Sequence, residues 1–294
     1  MEISQILQAA LEHNASDAHI VAGQTPTLRI AARLHTLDMC VVSRQWVRHA
    51  LERLAPVDTL HAFDEHGHAA FTAETPGLGR FRVHAIRQRG AVSLSIRPIP
   101  HAAPTLDALG LRDALEPLTR LSDGLVLITG AAGSGRSTTL AAMAHEINAR
   151  DDLRILTIED PVEHVLTPAR CSIVQRELGR DTPTLAAALR DAARHDADVL
   201  IVNDVEDDAA AELIAAGESG RLCLAGVRGV GAGRAVARLI NAAPEHARED
   251  AREAVAASLR AVVRQRLTPT QDGAAMRCAA ETLTIDDEAR DCIA

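Results

Sequence analysis

The sequence predicts an α/β protein with a parallel sheet and crossover helices, preceded by a smaller α+β domain. From about residue 118 onward, apolar strands alternate with amphipathic helices, which is typical of parallel strands joined by helical crossovers. Residues 1–99 instead combine short strands, tight turns and two helices. With 294 residues, 47% of them hydrophobic, the chain is long enough for two ordinary domains with cores of their own.

The first domain is predicted over residues 1–99. Apolar residues at helical spacing predict a helix within residues 1–13, and Ser43 is the predicted cap of a second helix that ends near Leu54. Short apolar runs predict strands at residues 18–22, 28–34, 79–86 and 91–97. Three prolines within residues 98–104 disfavour both helix and central strand, so residues 100–117 are interpreted as a linker.

The second domain is predicted over residues 118–294. Its apolar runs predict strands at residues 125–129, 155–158, 199–202 and 222–227, and a last strand-like pattern at residues 279–285. Amphipathic helices are predicted to follow from Arg136, Thr184, Asp207, Ala232 and Pro244. In an open parallel sheet, ligands bind at the carboxyl edge of the strands, so functional residues are expected there.

The charge balance argues against one class of function and leaves a local basic patch open. The formal net charge is −9 and the sequence pI is near 5.8, which argues against a nucleic-acid binder that relies on general attraction to phosphate backbones. All 31 basic residues are arginines, and the chain has no lysine. We interpret this bias, together with the abundance of alanine, as genome-wide codon pressure.

The cysteines and the amino terminus bear on the compartment. The five cysteines are far apart and form no C-x-x-C pair, which predicts reduced thiols at Cys40, Cys171, Cys223, Cys278 and Cys292. The amino terminus has no basic region followed by an apolar run, and no segment reaches the ~18 apolar residues of a membrane span. The sequence therefore predicts a cytoplasmic protein without direct membrane insertion.

A glycine-rich turn between the first strand and the first helix of the second domain is the strongest motif. It reads Gly130-Ala131-Ala132-Gly133-Ser134-Gly135-Arg136-Ser137-Thr138. The turn matches the phosphate-loop pattern G-x-x-x-x-G-K-[ST] except at Arg136, which stands where lysine is expected. Glycines there let backbone N–H groups surround a phosphate at a helix amino terminus. A turn needed only for packing is the alternative, but the flanking strand and the Ser137 hydroxyl, a suitable Mg²⁺ ligand, favour nucleotide binding.

Acidic residues follow two later strands. One strand leads into Glu159, Asp160 and Glu163, and the strand at residues 199–202 leads into Asp204. An apolar strand that ends in an acid has the form of a Walker B element, whose carboxylate organises magnesium or the attacking water. A solvated turn and an ordinary strand-end acid are the alternatives. Beside a phosphate loop, we favour catalytic roles for Glu159, Glu163 and Asp204.

With these motifs in this order, the chain resembles the hexameric ATPases of secretion systems and type IV pili, and especially the pilus retraction motors. The matching segments are residues 15–19, 80–83, 130–138, 156–163 and 217–220. The resemblance implies a PAS-like amino-terminal domain and a RecA-like P-loop ATPase core that uses ATP and Mg²⁺. It also implies a homo-hexamer, or a mixed ring with an intact paralogue, that works with the inner-membrane platform protein of the pilus machinery.

The resemblance extends to the nucleotide contacts. The family uses arginines of the amino-terminal domain to reach the phosphates, and Arg82 and Arg97 occupy the matching strands. A guanidinium group suits phosphate oxygens, although exposed strand arginines would give the same pattern. The implied nucleotide-binding residues are Gly130, Gly133, Ser134, Gly135, Arg136, Ser137, Thr138, Arg82 and Arg97, with Ser137 as the metal ligand.

The departures from the family pattern fall on the chemistry. The family's Gly-Glu-x-Arg-Asp block reads Asn203-Asp204-Val205-Glu206-Asp207 here, and its Leu-His-Thr reads Val227-Arg228-Gly229. The catalytic glutamate has become the shorter Asp204, and the sequence is expected to lack the family's helical carboxyl-terminal portion. These changes predict an ATP-binding, motor-like subunit with weakened hydrolysis. A fully active retraction motor and a nucleotide-independent structural subunit of the ring are the alternatives.

Overall fold

A computed structural model describes residues 2–99, 103–229, 231–270 and 276–293 of the chain. The chain divides into two compact units, Met1–His101 and Ala102–Ala294. Each unit has a sheet and a hydrophobic core of its own. Within the described residues, no helix has the length and apolar character needed to span a membrane.

The first unit is an antiparallel sheet packed against helices. Its six strands have the order β3-β2-β1-β6-β5-β4, and every pair of neighbours is antiparallel. The strands are β1 (Asp17–Val21), β2 (Thr27–Ile30), β3 (Arg33–Thr36), β4 (His68–Thr75), β5 (Gly79–Gln88) and β6 (Ala91–Ile99). The helices are α1 (Ile3–Glu12), α2 (Arg44–Leu54) and α3 (Val57–His66). Alternate strand residues enter the core, so the opposite face of the sheet carries polar side chains.

Most sequence predictions for this unit are confirmed. Ser43 caps α2 by accepting a hydrogen bond from the Trp46 backbone N–H at 3.1 Å. The strand predicted at residues 28–34 is wrong in one respect, because Ala31 and Ala32 adopt positive φ angles of 44° and 67° and divide it into β2 and β3. Helix α3 was not predicted, because it buries Phe63 alone and therefore has little apolar periodicity.

The second unit is built on a seven-stranded sheet of order β13-β12-β7-β11-β10-β8-β9. All neighbouring strands are parallel except β13, which pairs antiparallel with β12. The strands are β7 (Gly124–Gly130), β8 (Arg154–Glu159), β9 (Ser172–Glu177), β10 (Val199–Val205), β11 (Leu222–Arg228), β12 (Leu259–Pro269) and β13 (Met276–Thr284). This sheet confirms the predicted α/β fold class.

Helices cover both faces of this sheet. They are α4 (Leu106–Leu109), α5 (Arg112–Leu115), α6 (Arg136–Arg150), α7 (Leu185–Ala192), α8 (Ala210–Glu218), α9 (Ala232–Ala242), α10 (Arg248–Ser258) and α11 (Asp287–Ile293). One buried cluster joins the sheet to α7, α8, α9 and α10, and a second joins the other face to α4, α5 and α6. Strands buried on both faces explain the continuous apolar runs in the sequence.

Two sequence predictions for this unit need correction. The helices predicted from Asp207 and Pro244 begin with short 3-10 turns, and the regular helices α8 and α10 follow them. The linker predicted over residues 100–117 contains α4 and α5, and Leu106 and Leu115 are fully buried in the core of the second unit. Residues 100–102 lie outside the described residues. Strands β9 and β12 were not predicted, because polar residues interrupt their apolar patterns.

Candidate functional site

The turn after β7 has the geometry of an anion site. Strand β7 is buried throughout, and the chain turns through residues 131–135 before α6 begins at Arg136. Gly135 precedes the helix with φ +88° and provides no side-chain cap, so the first backbone N–H groups of α6 have no side-chain partner from that position. Orphan donors and the helix dipole both favour an anion there. Gly133 is exposed, Ser134 is buried, and Ser137 and Thr138 are half-buried.

Gln265 on β12 fixes the conformation of this turn. Its amide Nε2 donates to the backbone oxygen of Ser134 at 2.7 Å, and its Oε1 accepts from the Thr139 hydroxyl at 2.9 Å. A Cβ atom at Gly135 would lie 3.0 Å from Gln265 Nε2, and the φ of +88° at this position favours glycine. Sequence reasoning missed this residue, because a buried glutamine is noticeable only once β12 is recognised as a strand.

Arg136 folds back onto the turn that carries it. Only 9% of the residue is exposed, and its Nη1 donates to the backbone oxygens of Gly130 and Ala131. Its Nη2 lies 3.3 Å from Asp204 Oδ1. Burial is the main cause that lowers the pKa of Arg136, and the Asp204 carboxylate opposes this effect. The guanidinium is therefore the buried cation of the turn.

A β-bulge in β10 sets the position of Asp204. Val202 pairs with Ala225 and Val205 pairs with Val227, so Asn203 and Asp204 together lie opposite Gly226 on β11. A Cβ atom at Gly226 would lie only 2.1 Å from the backbone oxygen of Asn203. Because a bulge re-aims side chains, this glycine allows both polar residues to reach the carboxyl edge of the sheet.

Both carboxylate oxygens of Asp204 contact arginines. Oδ1 faces Arg136, and Oδ2 accepts a hydrogen bond from Arg228 Nε at 2.6 Å. The backbone oxygen of Arg228 accepts in turn from Arg238 Nη1 at 3.0 Å, and Arg238 also pairs with Asp207. Asp204 therefore acts in this structure as the counter-ion of two guanidinium groups. Its contact with Arg228 could not be predicted from the sequence, since it depends on the register of β10 and β11.

Glu159 lies at the end of β8 and is held by neutral donors. Its Oε1 accepts from the Thr157 hydroxyl at 2.7 Å and from Gln175 Nε2 at 3.0 Å, and its Oε2 accepts from Asn203 Nδ2 at 2.8 Å. Burial raises the pKa of Glu159, and the negative charge of Glu163 raises it further. Glu163 itself follows β8 and is half-buried. The contact with Asn203 connects Glu159 to the bulge that carries Asp204.

The buried position of Glu159 predicts a pH-dependent stability. The pKa of this carboxyl is raised in the folded state above its reference value of 4.5, so its ionisation at higher pH costs folding free energy. A tenfold change in the ionisation equilibrium of a carboxyl corresponds to about 1.4 kcal/mol. We expect wild-type stability relative to Glu159→Gln to fall as pH rises above about 4.5. Urea unfolding between pH 4.5 and 8 measures this difference.

Glu206→Gln is the control for this prediction. Glu206 is exposed, and its substitution removes the same charge two positions after Asp204. We expect this control to stay within about 0.5 kcal/mol of wild type across the range. A Glu159→Gln variant that becomes relatively less stable as pH rises would contradict the prediction.

Arg82 and Arg97 belong to the first unit. They are direct cross-strand partners on β5 and β6. Arg97 pairs with Asp17, with Nη2 lying 2.9 Å from Oδ1, and about half of its side chain is exposed. Asp17 begins β1 within the segment that carries part of the family resemblance, and sequence reasoning gave it no partner.

The parallel sheet, the glycine-rich turn before α6 and the acid at the end of β10 define the chain as an α/β P-loop protein. It belongs to the type II/IV secretion system protein family, whose model matches residues 1–292. The family resemblance inferred from the motifs is therefore confirmed.

Individual relatives agree with this assignment. The chain is 36% identical over 273 residues to the uncharacterized protein YggR of Escherichia coli, covering 91% of this chain and 81% of YggR. It is 32% identical over 284 residues to the type IV pilus ATPase PilU of Pseudomonas aeruginosa, covering 96% and 74% of the two chains. A crystal structure of the pilus retraction motor PilT with bound ADP superposes with a TM-score of 0.91 at 32% identity, covering 100% of this chain and 86% of that one.

Proposed function

We propose that this chain is an ATP-binding, motor-like subunit of type IV pilus or related secretion machinery, with weakened hydrolysis. Similarity to the pilus ATPases supports the assignment to pilus or secretion machinery. The turn between β7 and α6 supports a nucleotide-binding site at that position. The observation that carries weakened hydrolysis is the position of Asp204 between Arg136 and Arg228.

The loop residues have distinct roles in this proposal. Backbone N–H groups of Gly133 and Gly135 face the phosphate chain of ATP, while the Ser134 N–H donates to the backbone oxygen of Ala131 at 3.1 Å. Gly130 allows Ser134 to pack closely against the end of the strand. The hydroxyl groups of Ser137 and Thr138 lie in the first turn of α6 and are half-buried. Arg136 supplies the positive charge that the family's lysine provides, through a planar and bulkier group.

The proposal of weakened hydrolysis rests on the contacts that occupy the carboxylate oxygens of the candidate catalytic acids. A carboxylate that orients water needs a free oxygen directed at that water. Both oxygens of Asp204 contact guanidinium groups, and Glu159 is engaged by three neutral donors. Asp204 is also one methylene shorter than the family's glutamate, and a displacement of about 1 Å costs on the order of 10²-fold in rate. Glu163 is half-buried beyond the end of β8, and we propose it as a further candidate for an acid that acts on water.

We also propose the assembly and location of the subunit. It joins a homo-hexameric ring or a mixed ring with an intact paralogue, in the cytoplasm beside the inner-membrane platform protein of the pilus machinery. The similarity to pilus ATPases over nearly the whole chain supports this. Arg82 and Arg97 remain candidates for phosphate contacts, and Arg97 would first have to leave Asp17.

Binding and turnover measured on the purified chain test this proposal. We expect ATP and ADP binding, with steady-state ATP turnover about 10²-fold below that of an intact pilus ATPase assayed in parallel. Turnover equal to that of the intact enzyme, and abolished by Ser137→Ala, would identify a fully active motor instead. No binding of either nucleotide would favour a structural subunit of the ring.

A further inference from the structure

Three arginine side chains surround the start of the phosphate loop. Arg136 is buried in the loop, Arg228 contacts Asp204, and Arg238 donates to the backbone oxygen of Arg228. After burial, the nearby positive charges of Arg228 and Arg238 are the causes that lower the pKa of Arg136 further. The three guanidinium groups share two carboxylates, Asp204 and Asp207, so positive charge exceeds negative charge among these contacts, which favours an anion.

Two polar atoms in this loop have unused hydrogen-bonding capacity. Arg136 Nε and Ser134 Oγ are buried, and neither has a hydrogen-bond partner among the described residues. A buried donor without a partner is costly, so an acceptor that reaches Arg136 Nε is strongly favoured. Arg136 Nε belongs to the first residue of α6, which is independent evidence for a ligand there, whereas Ser134 Oγ packs beside Gly130.

The same residues fit a magnesium ion poorly. Mg²⁺ prefers oxygen ligands, above all carboxylates, together with phosphate oxygens and water. Asp204 is engaged by two cations, and Mg²⁺ would have to displace at least one of them. Within the described ranges, no group of three or more His, Cys, Asp or Glu side chains is arranged to hold a metal ion. Asp204, the acid at the end of β10, is therefore not free to support a metal beside Ser137.

We propose that this site binds the phosphate chain of a nucleotide without Mg²⁺, because Arg136 and Arg228 exchange Asp204 for phosphate oxygens. The inference rests on the proposed nucleotide binding and concerns which positive groups, arginine side chains or a metal ion, bind the phosphates. Guanidinium groups form paired, charge-assisted hydrogen bonds with phosphate and supply the positive charge that the metal supplies elsewhere. In the absence of nucleotide, Asp204 takes the place of the phosphate anion.

The first test compares binding with and without the metal. We expect the full chain to bind a fluorescent ADP analogue with dissociation constants that agree within about threefold in excess Mg²⁺ and in EDTA. Binding that weakens tenfold or more in EDTA would overturn this inference and leave the proposed function in place. No binding under either condition would overturn both.

The second test uses two substitutions that are expected to change the affinity for ADP in opposite directions. Asp204→Asn removes the competing anion, so we expect ADP to bind at least about threefold more tightly in EDTA. If Asp204 instead supported a metal ion, the same substitution would weaken binding in Mg²⁺. Arg228→Gln removes a phosphate partner, so we expect about tenfold weaker binding. Weaker binding by Asp204→Asn, or unchanged binding by Arg228→Gln, would overturn the proposal.

Arg252→Gln is the matched control. Arg252 lies on α10, is 42% exposed and has Glu249 as its ion-pair partner at 3.7 Å, so this variant removes the same charge without touching Asp204. We expect its affinity for the ADP analogue to match wild type. Circular dichroism of each variant checks that it is folded, and Arg228 is suited to the test because its side chain is 61% exposed.

Discussion

Restoring the family's residues at three positions is expected to raise ATP turnover by about 10²-fold. The triple variant is Arg136→Lys, Asp204→Glu and Arg228→His. Lysine presents a compact charge, glutamate regains the missing methylene, and histidine removes the guanidinium that holds Oδ2 of Asp204 at 2.6 Å. Steady-state phosphate release under saturating ATP and Mg²⁺ measures the gain.

The double variant Arg136→Lys and Asp204→Glu separates two explanations. If the shorter side chain at position 204 and the arginine at position 136 alone limited hydrolysis, the double variant would recover the full rate. We expect it to recover much less, because Arg228 continues to pair with the carboxylate. Adding Ser137→Ala to the triple variant provides the background rate. A triple variant with wild-type turnover would show that the loss lies elsewhere in the site.

Substituting the glycine opposite the bulge is expected to cost about 3 kcal/mol or more of folding free energy. A Cβ atom in Gly226→Ala would meet the Asn203 backbone oxygen at 2.1 Å, and the strand is buried from Leu222 to Val227, which leaves little room for either backbone to move. Relief of the clash requires the bulge to shift, which also displaces the Asp204 side chain. Urea unfolding measures the loss of stability.

Gly229→Ala is the matched control, three residues along the chain. No atom lies within 4 Å of a Cβ atom added at Gly229, and its φ lies outside the positive range that favours glycine. We expect stability unchanged or up to about 1 kcal/mol higher, because alanine restricts the unfolded chain. Equal stability of the two variants would contradict the role assigned to Gly226.

The sequence was most informative where local patterns act alone. The buried strands β7, β8, β10 and β11 follow from continuous apolar runs, and the phosphate loop follows from glycine spacing before a helix. It was least informative for β9 and β12, in which residues such as Gln265 break the apolar pattern. Periodicity depends on one face being uniformly apolar, so a strand that also carries a functional contact is easily missed.

In the candidate site, the sequence likewise predicted the positions of key residues but not their contacts. The sequence located Arg136, Glu159 and Asp204 near strand ends, because the chain order of parallel strands and helices brings such ends to one edge. Their partners depend on which strands are neighbours. β10 lies between β11 and β8, which brings Arg228 to Asp204 and Glu159 to Asn203.

By itself the sequence determined the α/β class, the family and the place of the phosphate loop, since each rests on contiguous residues whose spacing is set by backbone geometry. Only the tertiary structure decided how the charges are satisfied. The bulge opposite Gly226 turns Asp204 toward Arg136 and Arg228, and these contacts join residues up to 68 positions apart. Strand register and packing determine such distances, and neither can be read from local sequence.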